Sequence, residues 1–360
     1  MADFFEIDFI DVESPKSGDA IALRYEQAGQ TSIHVVDAGY QDTGESVVSH
    51  IKTYYNNPTY INHVVATHSD GDHAGGLRTV LEKFSVGCLW MHRPWIIAER
   101  LLPKFPSYSS AERLATRLKD AYSNLTALEE IALRKSITIR APVQGAKIGA
   151  FTVMAPSVDR YIQCLLDSER TPESTSSEAQ DGLGNAILEA LRKVRKLVKG
   201  AWGHEVFSPN ETSAENEMSV VQFAVLCGKK ILLTGDAGRG ALADVVQFAP
   251  QIQVALPGLD RFQVPHHGSR RNVSTETLDA ILGPRVAKGT ASTFEAICSA
   301  AKKDEDHPRK SVKRAIIHRG GDWFDTKQGR TICSKGGDSP TRENWISLTP
   351  HSYPEEQEED

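Results

Sequence analysis

The chain has no run of about 18 apolar residues, so nothing in it reads as a membrane span. Its opening stretch, Met1 to Glu6, carries no positive cluster and no long apolar segment, so a secretory signal is not expected. The five cysteines, Cys88, Cys164, Cys227, Cys298 and Cys333, are odd in number, widely scattered and form no C-x-x-C pair. They read as buried free thiols in a reducing cytosol, which places the protein in the cytoplasm. There is no surplus of positive charge: the formal net charge is −6. That argues against non-specific coating of nucleic acid, which needs many Lys/Arg–phosphate contacts, but leaves room for a local basic groove. No internal repeat at solenoid-like spacing appears.

What is present is ordinary for a soluble globular protein: 360 residues, 40% hydrophobic and 24% charged, enough for one large α/β domain or two small ones. Strand-like runs are Phe4–Val12, Ala20–Tyr25, Ile33–Val36, His63–Thr67, Val86–Met91, Ile137–Ile139 and Phe151–Met154. Helical patterns cover Glu45–Tyr55, Ala74–Lys83, Ser110–Leu133, Tyr161–Leu166 and Leu183–Val198. The last carries a basic face of Arg192, Lys193, Arg195, Lys196 and Lys199, and Trp202 follows it. Residues 168–182 are rich in Ser, Thr, Glu and Pro and read as exposed or mobile. In the second half, Ser219–Leu226 and Lys230–Thr234 form a hairpin about Cys227-Gly228-Lys229. A helix then runs through Val246, Val254–Val264 is strand-like in parts, and Ala315–His318 reads as a strand. The acidic end, 351–360, is expected to be a disordered tail.

One segment stands apart. Thr67-His68-Ser69-Asp70-Gly71-Asp72-His73 packs two imidazoles and two carboxylates into six residues directly after a buried strand. Alternate residues of such a loop can point the same way, so His68, Asp70 and Asp72 can converge, with His73 joining from the next helical turn. Nitrogen and carboxylate donors together suit Zn, Mn or Fe. A simple helix-capping loop would use one carboxylate at most. Two distant elements fit the same chemistry. Asp236 follows an apolar strand in Leu233-Thr234-Gly235-Asp236, and His266-His267-Gly268-Ser269 ends another.

Together these pieces resemble the metallo-β-lactamase superfamily. Its first motif is usually H-x-H-x-D-H, and here Asp70 replaces the second His. That variant is similar to the hydrolase domain of the DNA-uptake protein ComEC and its stand-alone relatives. Further points of likeness are Asp11-Val12 with Gly18-Asp19-Ala20, Asp37-Ala38-Gly39, Ala155-Pro156-Ser157, Asn216-Glu217-Met218-Ser219, Thr234-Gly235-Asp236, Val264-Pro265-His266-His267-Gly268-Ser269 and His307-Pro308. The departures are Glu13 to Lys16 in the opening turn, Asp306 in place of a Gly, and an apparent insertion at 157–215. The superfamily's third-motif His is absent, with Asn216 near its place.

The resemblance implies an α/β (α+β) fold: an αββα sandwich spanning 1–350 as a single domain, with a helical insertion. It also implies a metal-dependent hydrolase using two divalent ions, Zn²⁺ or Mn²⁺. One ion is expected on Asp72, His73, Asp236 and His266, the other on His68, Asp70 and Asp236. Ions about 4 Å apart can clamp a phosphoryl group and generate hydroxide near neutral pH. His267, Asn216, Ser269 and His307 are then expected to face substrate, with Arg270 and Arg271 able to steer a phosphate backbone. The expected activity is that of a phosphodiesterase or nuclease on nucleic acid or nucleotides. A lactonase or other small-molecule hydrolase is the alternative on the same metals, and a metal-stabilised partner-binding protein without turnover is the alternative from another class. The insertion is a place where a protein partner could dock.

Overall fold

Along β1 (Phe4–Phe9) the side chains alternate between two buried faces. Phe5, Ile7 and Phe9 enter an apolar layer, while Glu6 and Asp8 lie on the opposite face. The same alternation places Ile21, Leu23 and Tyr25 of β2 (Ala20–Gln27) in that layer. The structure is a computed structural model that describes residues 3–12, 14–171, 197–336, 342–343 and 345–359.

Two seven-stranded sheets face each other across this layer. The first runs β15 (Thr331–Gly336), β1, β2, β3 (Gln30–Ala38), β4 (Tyr60–Val65), β5 (Ser85–Trp90) and β6 (Thr138–Arg140). Its first half is antiparallel and β3 to β6 are parallel. The second runs β14 (Gly321–Asp325), β13 (Phe294–Cys298), β12 (Arg261–Gln263), β11 (Lys229–Leu233), β10 (Val221–Leu226), β8 (Phe151–Ala155) and β7 (Lys147–Ile148), with β11 to β14 parallel. Helices Thr43–Tyr54, Leu77–Lys83, Ala111–Ala121 and Ser123–Arg134 bury their apolar stripes on the outer face of the first sheet. Helices Arg239–Phe248, Thr275–Leu282 and Lys310–Ile317 do so on the second. The architecture is therefore an αββα sandwich of mixed α/β class. Its parallel strands end in loops on one edge, where open α/β sheets place their ligands.

Several expectations need correction. The helix expected over 110–133 is two helices meeting at Tyr122, whose backbone leaves helical geometry. The run Ala315–His318 is not a strand. Val312, Ala315 and Ile316 are buried at i, i+3 and i+4, and that stripe makes the segment helical despite its β-branched residues. The expected helix 183–198 lies largely outside the described residues, but its end, with Lys199, forms β9 (Leu197–Lys199).

The acidic end is not a disordered tail. Glu356–Glu358 forms β16 and pairs antiparallel with β9. Glu358 accepts from the backbone N–H groups of Lys310 and Ser311, where a helix N-terminus favours negative charge. Arg314 donates to the carbonyls of Pro354 and Glu355. Acidic composition signals disorder only when the charges lack partners, and here they have them. Trp202 packs on His318 and Tyr353 and donates to the Val286 carbonyl, so it serves the fold.

The outward face of β1 also needs partners. Arg342 donates to Asp8 at 2.5 and 2.9 Å, and Arg24 to Glu6 at 3.0 Å. Tyr55 donates to Asp8 at 2.5 Å, and His50 lies 3.2 Å from it. Both carboxylates are fully buried. Arg342→Ala is expected to destabilise the fold by about 3–5 kcal/mol, because it removes the guanidinium shared by two fully buried carboxylates, Asp8 and Glu6. Chemical denaturation checks this, and a loss below about 1 kcal/mol contradicts it.

Candidate metal centre

The loops after β4, β11 and β12 meet at this edge. Asp70 precedes the single turn Gly71–Ala74, which carries Asp72 and His73. The chain can turn directly into the next helix because position 76 is Gly: a Cβ there would lie 2.1 Å from the Ala38 carbonyl oxygen. After β12, His266 (φ 46°) and His267 (φ 54°) both adopt the left-handed conformation, followed by Gly268 at φ 82°. Two consecutive left-handed non-glycine residues are costly, on the order of 1–3 kcal/mol each, and such strain clusters at functional sites. Here it directs two adjacent imidazoles at the same carboxylate, Asp236.

Asp236 is buried and presents one oxygen to each side. Its Oδ1 lies 3.3 Å from His73 Nε2 and 4.0 Å from His267 Nε2. Its Oδ2 lies 3.9 Å from His68 Nε2 and 3.6 Å from His266 Nε2. Asp72 Oδ2 stands 3.9 Å from His73 Nε2 and 3.6 Å from His267 Nε2. Asp70 Oδ2 stands 3.9 Å from His68 Nε2. His267, rather than His266, therefore shares a cluster with Asp72 and His73, while His266 faces the His68 side. The expectation had His266 beside Asp72 and His73 and His267 facing substrate; His267 stands there instead. The cause is the left-handed backbone, which a sequence does not display.

The opposite ring atoms are fixed. His73 Nδ1 is 2.8 Å from Asp37 Oδ2, His267 Nδ1 is 3.1 Å from the Ser299 carbonyl, and His68 Nδ1 is 3.0 Å from Thr67 Oγ1. Asp37 also accepts from the Thr67 amide and hydroxyl, binding the loop to the end of β3. Such outer contacts set ring orientation at metal sites. His266 Nδ1 sits 2.9 Å from Asn272 Oδ1 and 3.1 Å from Asn216 Nδ2. Asn216 thus touches an imidazole of the cluster. Ser269 Oγ accepts from the Arg271 amide and serves the turn. His307 stacks on His266 with ring centroids 5.8 Å apart, and its Nδ1 is 3.4 Å from Asp304 Oδ2.

Four inward atoms, His68 Nε2, His73 Nε2, His267 Nε2 and Asp236 Oδ1, are buried without a hydrogen-bond partner. Buried polar atoms are rarely left so. Each is a metal-ligand atom, and all face one space, so the residues fit a metal centre. Sets such as His68–His73–Asp236 and Asp72–His73–His267 have ligand atoms within 4.8 Å of one another. Asp19 belongs here too: it accepts from Gln263 at 2.9 Å and groups with Asp236 and His267. Asp19 and Asp37 carried no assigned role in the sequence. Both lie in segments already noted as points of likeness, Gly18-Asp19-Ala20 and Asp37-Ala38-Gly39, which was the signal that could have found them.

Burial alone would lower the imidazole pKa values of His73 and His267. The carboxylates, Asp236 first, overturn this and raise His73 well above its ordinary value and His267 to about 9. Burial likewise opposes ionisation of Asp236 and Asp72, yet the imidazoles hold both below the usual carboxylate range. Asp19 is raised, chiefly by burial. Divalent ions bind neutral imidazole, so metal binding displaces protons. Apparent metal affinity is expected to rise with pH up to about 9, with proton release at pH 7. Calorimetry in two buffers of different ionisation enthalpy checks this, and proton uptake contradicts it. The metal-free fold follows the same linkage. Folded-state imidazole pKa values above 6.5 contribute stability in full below 6.5, and for His267 that stability is lost as pH rises through about 9.

A small pocket, with room for about one water, adjoins the centre, lined by His68, Ser69, His92, Tyr122, Tyr161, Glu215 and neighbours. His92 stacks on Tyr161 at 4.1 Å, and burial pushes its pKa down to about 3, so it is neutral.

No protein-family model matches the chain, and no curated protein does. Solved structures do, among them proteins described as metallo-β-lactamases or as members of the β-lactamase superfamily. CmlA, a diiron β-hydroxylase from Streptomyces venezuelae, has a TM-score of 0.41 at 10% identity, covering 91% of this chain and 54% of its own. Hydrolase AbOPH of the β-lactamase superfamily has 0.28 at 13%, covering 61% and 56%. A metallo-β-lactamase from Hirschia baltica has 0.28 at 12%, covering 69% and 80%. The chain thus spans little more than half of the first two. Among the described residues no helix is long and apolar enough to cross a membrane.

Proposed function

We propose that the protein is a metal-dependent hydrolase with a two-metal site, acting as a phosphodiesterase or nuclease on nucleic acid or nucleotides in the cytoplasm. The observation that carries the reading is Asp236. One oxygen serves the Asp72, His73 and His267 side, and the other serves the His68, Asp70 and His266 side. His266 gives the His68 side a second imidazole. A pair of divalent ions supplies Lewis acidity and a water of lowered pKa. With three carboxylates among the ligands the site is hard, which favours Mn²⁺ alongside Zn²⁺.

The chain's own residues orient and carry protons around that chemistry. Asp37 fixes His73, and the Ser299 carbonyl fixes His267 in the tautomer that leaves Nε2 free. Asn216 and Asn272 hold His266. His307, anchored through Nδ1 by Asp304, stands beside His266; burial first of all lowers its pKa, so the ring is placed to accept a proton from a water or substrate group through Nε2 rather than to give one. The motif's likeness to the DNA-uptake branch supports a phosphodiester over a lactone.

The test is turnover of a bis-nitrophenyl phosphate, lactones, single- and double-stranded DNA, and RNA, with Mn²⁺ and with Zn²⁺. Phosphodiester cleavage lost on chelation is the expected result. Turnover of lactones alone overturns the substrate class.

A further inference from the structure

The segment inserted at 157–215 reaches the metal loop. Helix Val158–Asp167 buries Tyr161, Cys164 and Leu165 in the core beside the first sheet. The chain then makes a tight turn in which the Thr171 amide donates to the Ser168 carbonyl at 3.2 Å. Ser168 and Thr171 are buried, and both hydroxyls bond to Tyr122. Ser168 also donates to Glu215. This polar anchor leaves one residue of the turn, Arg170, projecting over the loop. Its Nη1 lies 2.9 Å from Asp70 Oδ1 and donates to Ser69 Oγ at 3.2 Å.

Three facts make this contact more than a surface ion pair. Asp70 is the residue that replaces a histidine of the usual motif, so it adds a negative charge where an anionic substrate must approach. Arg170 sits on the oxygen of Asp70 that faces away from His68, since Oδ2 is the one on the His68 side. Its side chain is 42% exposed, and among the described residues its Nε and Nη2 carry no hydrogen bond. A guanidinium offers five donors in a planar fork that matches phosphate oxygens.

We infer that Arg170 is an anion-binding cation of the site: it offsets the charge of Asp70 and donates its remaining N–H groups to a phosphoryl oxygen of the substrate. The insertion thereby supplies part of the substrate site, and its Tyr161 and Glu215 line the adjoining pocket. The inference rests on the two-metal hydrolase reading and names the charge of its substrate. Arg170 touches substrate without moving a proton, so its loss acts on binding.

The experiment uses full-length protein loaded with Mn²⁺, comparing wild type, Arg170→Ala and Arg170→Lys. Inorganic phosphate binding is read by calorimetry, metal content by elemental analysis, and turnover with a bis-nitrophenyl phosphate. Arg170→Ala is expected to weaken phosphate binding and raise KM by about tenfold or more, with kcat within about threefold and metal content unchanged. Arg170→Lys recovers part of the loss, since it restores the charge but not the fork. Phosphate binding unchanged in Arg170→Ala overturns the inference, as does a loss confined to kcat. Absence of phosphodiester turnover in wild type overturns the substrate class instead, and the calorimetry still reads the anion site.

Discussion

Asp236→Asn yields a folded protein that no longer holds two ions, with hydrolysis reduced on the order of a thousandfold or more. Asn preserves the shape and its amide can keep one contact, but it removes the anion shared by the two halves. Four imidazoles face this carboxylate: His73 and His267 at Oδ1, His68 and His266 at Oδ2. Burial penalises a charged imidazole at His73, His266 and His267, and Asp236 is the chief group opposing that penalty at each. With Asn in its place these rings titrate lower, which offsets the loss of the anion and leaves the metal-free variant folded. Thermal unfolding separates this outcome from collapse. A variant that is folded, binds two ions and turns over normally removes Asp236 from the site.

The second large effect separates the two histidines. His267→Ala and His266→Ala are each expected to lower metal content from two ions to one and the rate by at least about a hundredfold. They empty different halves, because His267 stands with Asp72 and His73, and His266 with His68 and Asp70 across Asp236 Oδ2. Double variants show the pairing. His267→Ala with Asp72→Ala keeps one ion, whereas His267→Ala with Asp70→Ala keeps none. The pairing expected from sequence, with His266 beside Asp72, predicts that His266→Ala with Asp72→Ala keeps one ion instead.

Much of the centre was legible in the chain because its ligands are dense. His68 to His73 puts four ligand-type residues in one loop, and Asp236 and His266-His267 each follow a recognisable strand. The sandwich was legible through strand alternation and the likeness of the motifs. Other features depend on backbone angles or on contacts distant in sequence. The direction of each imidazole in His266-His267 is set by two left-handed φ values. Arg170 reaches Asp70 from 100 positions away, out of a polar stretch that reads only as loop. Asp37 is known as the anchor of His73 only once β3 and β4 are seen side by side. The acidic end misleads for the same reason: Glu358 gains its meaning from the helix start at Lys310, which composition does not reveal.

Metal titration of chelator-stripped full-length protein, read by elemental analysis after desalting, bears most directly on the centre. Two divalent ions per chain are expected, falling to fewer than two in Asp236→Asn. A folded wild-type protein that retains no divalent ion would contradict the account.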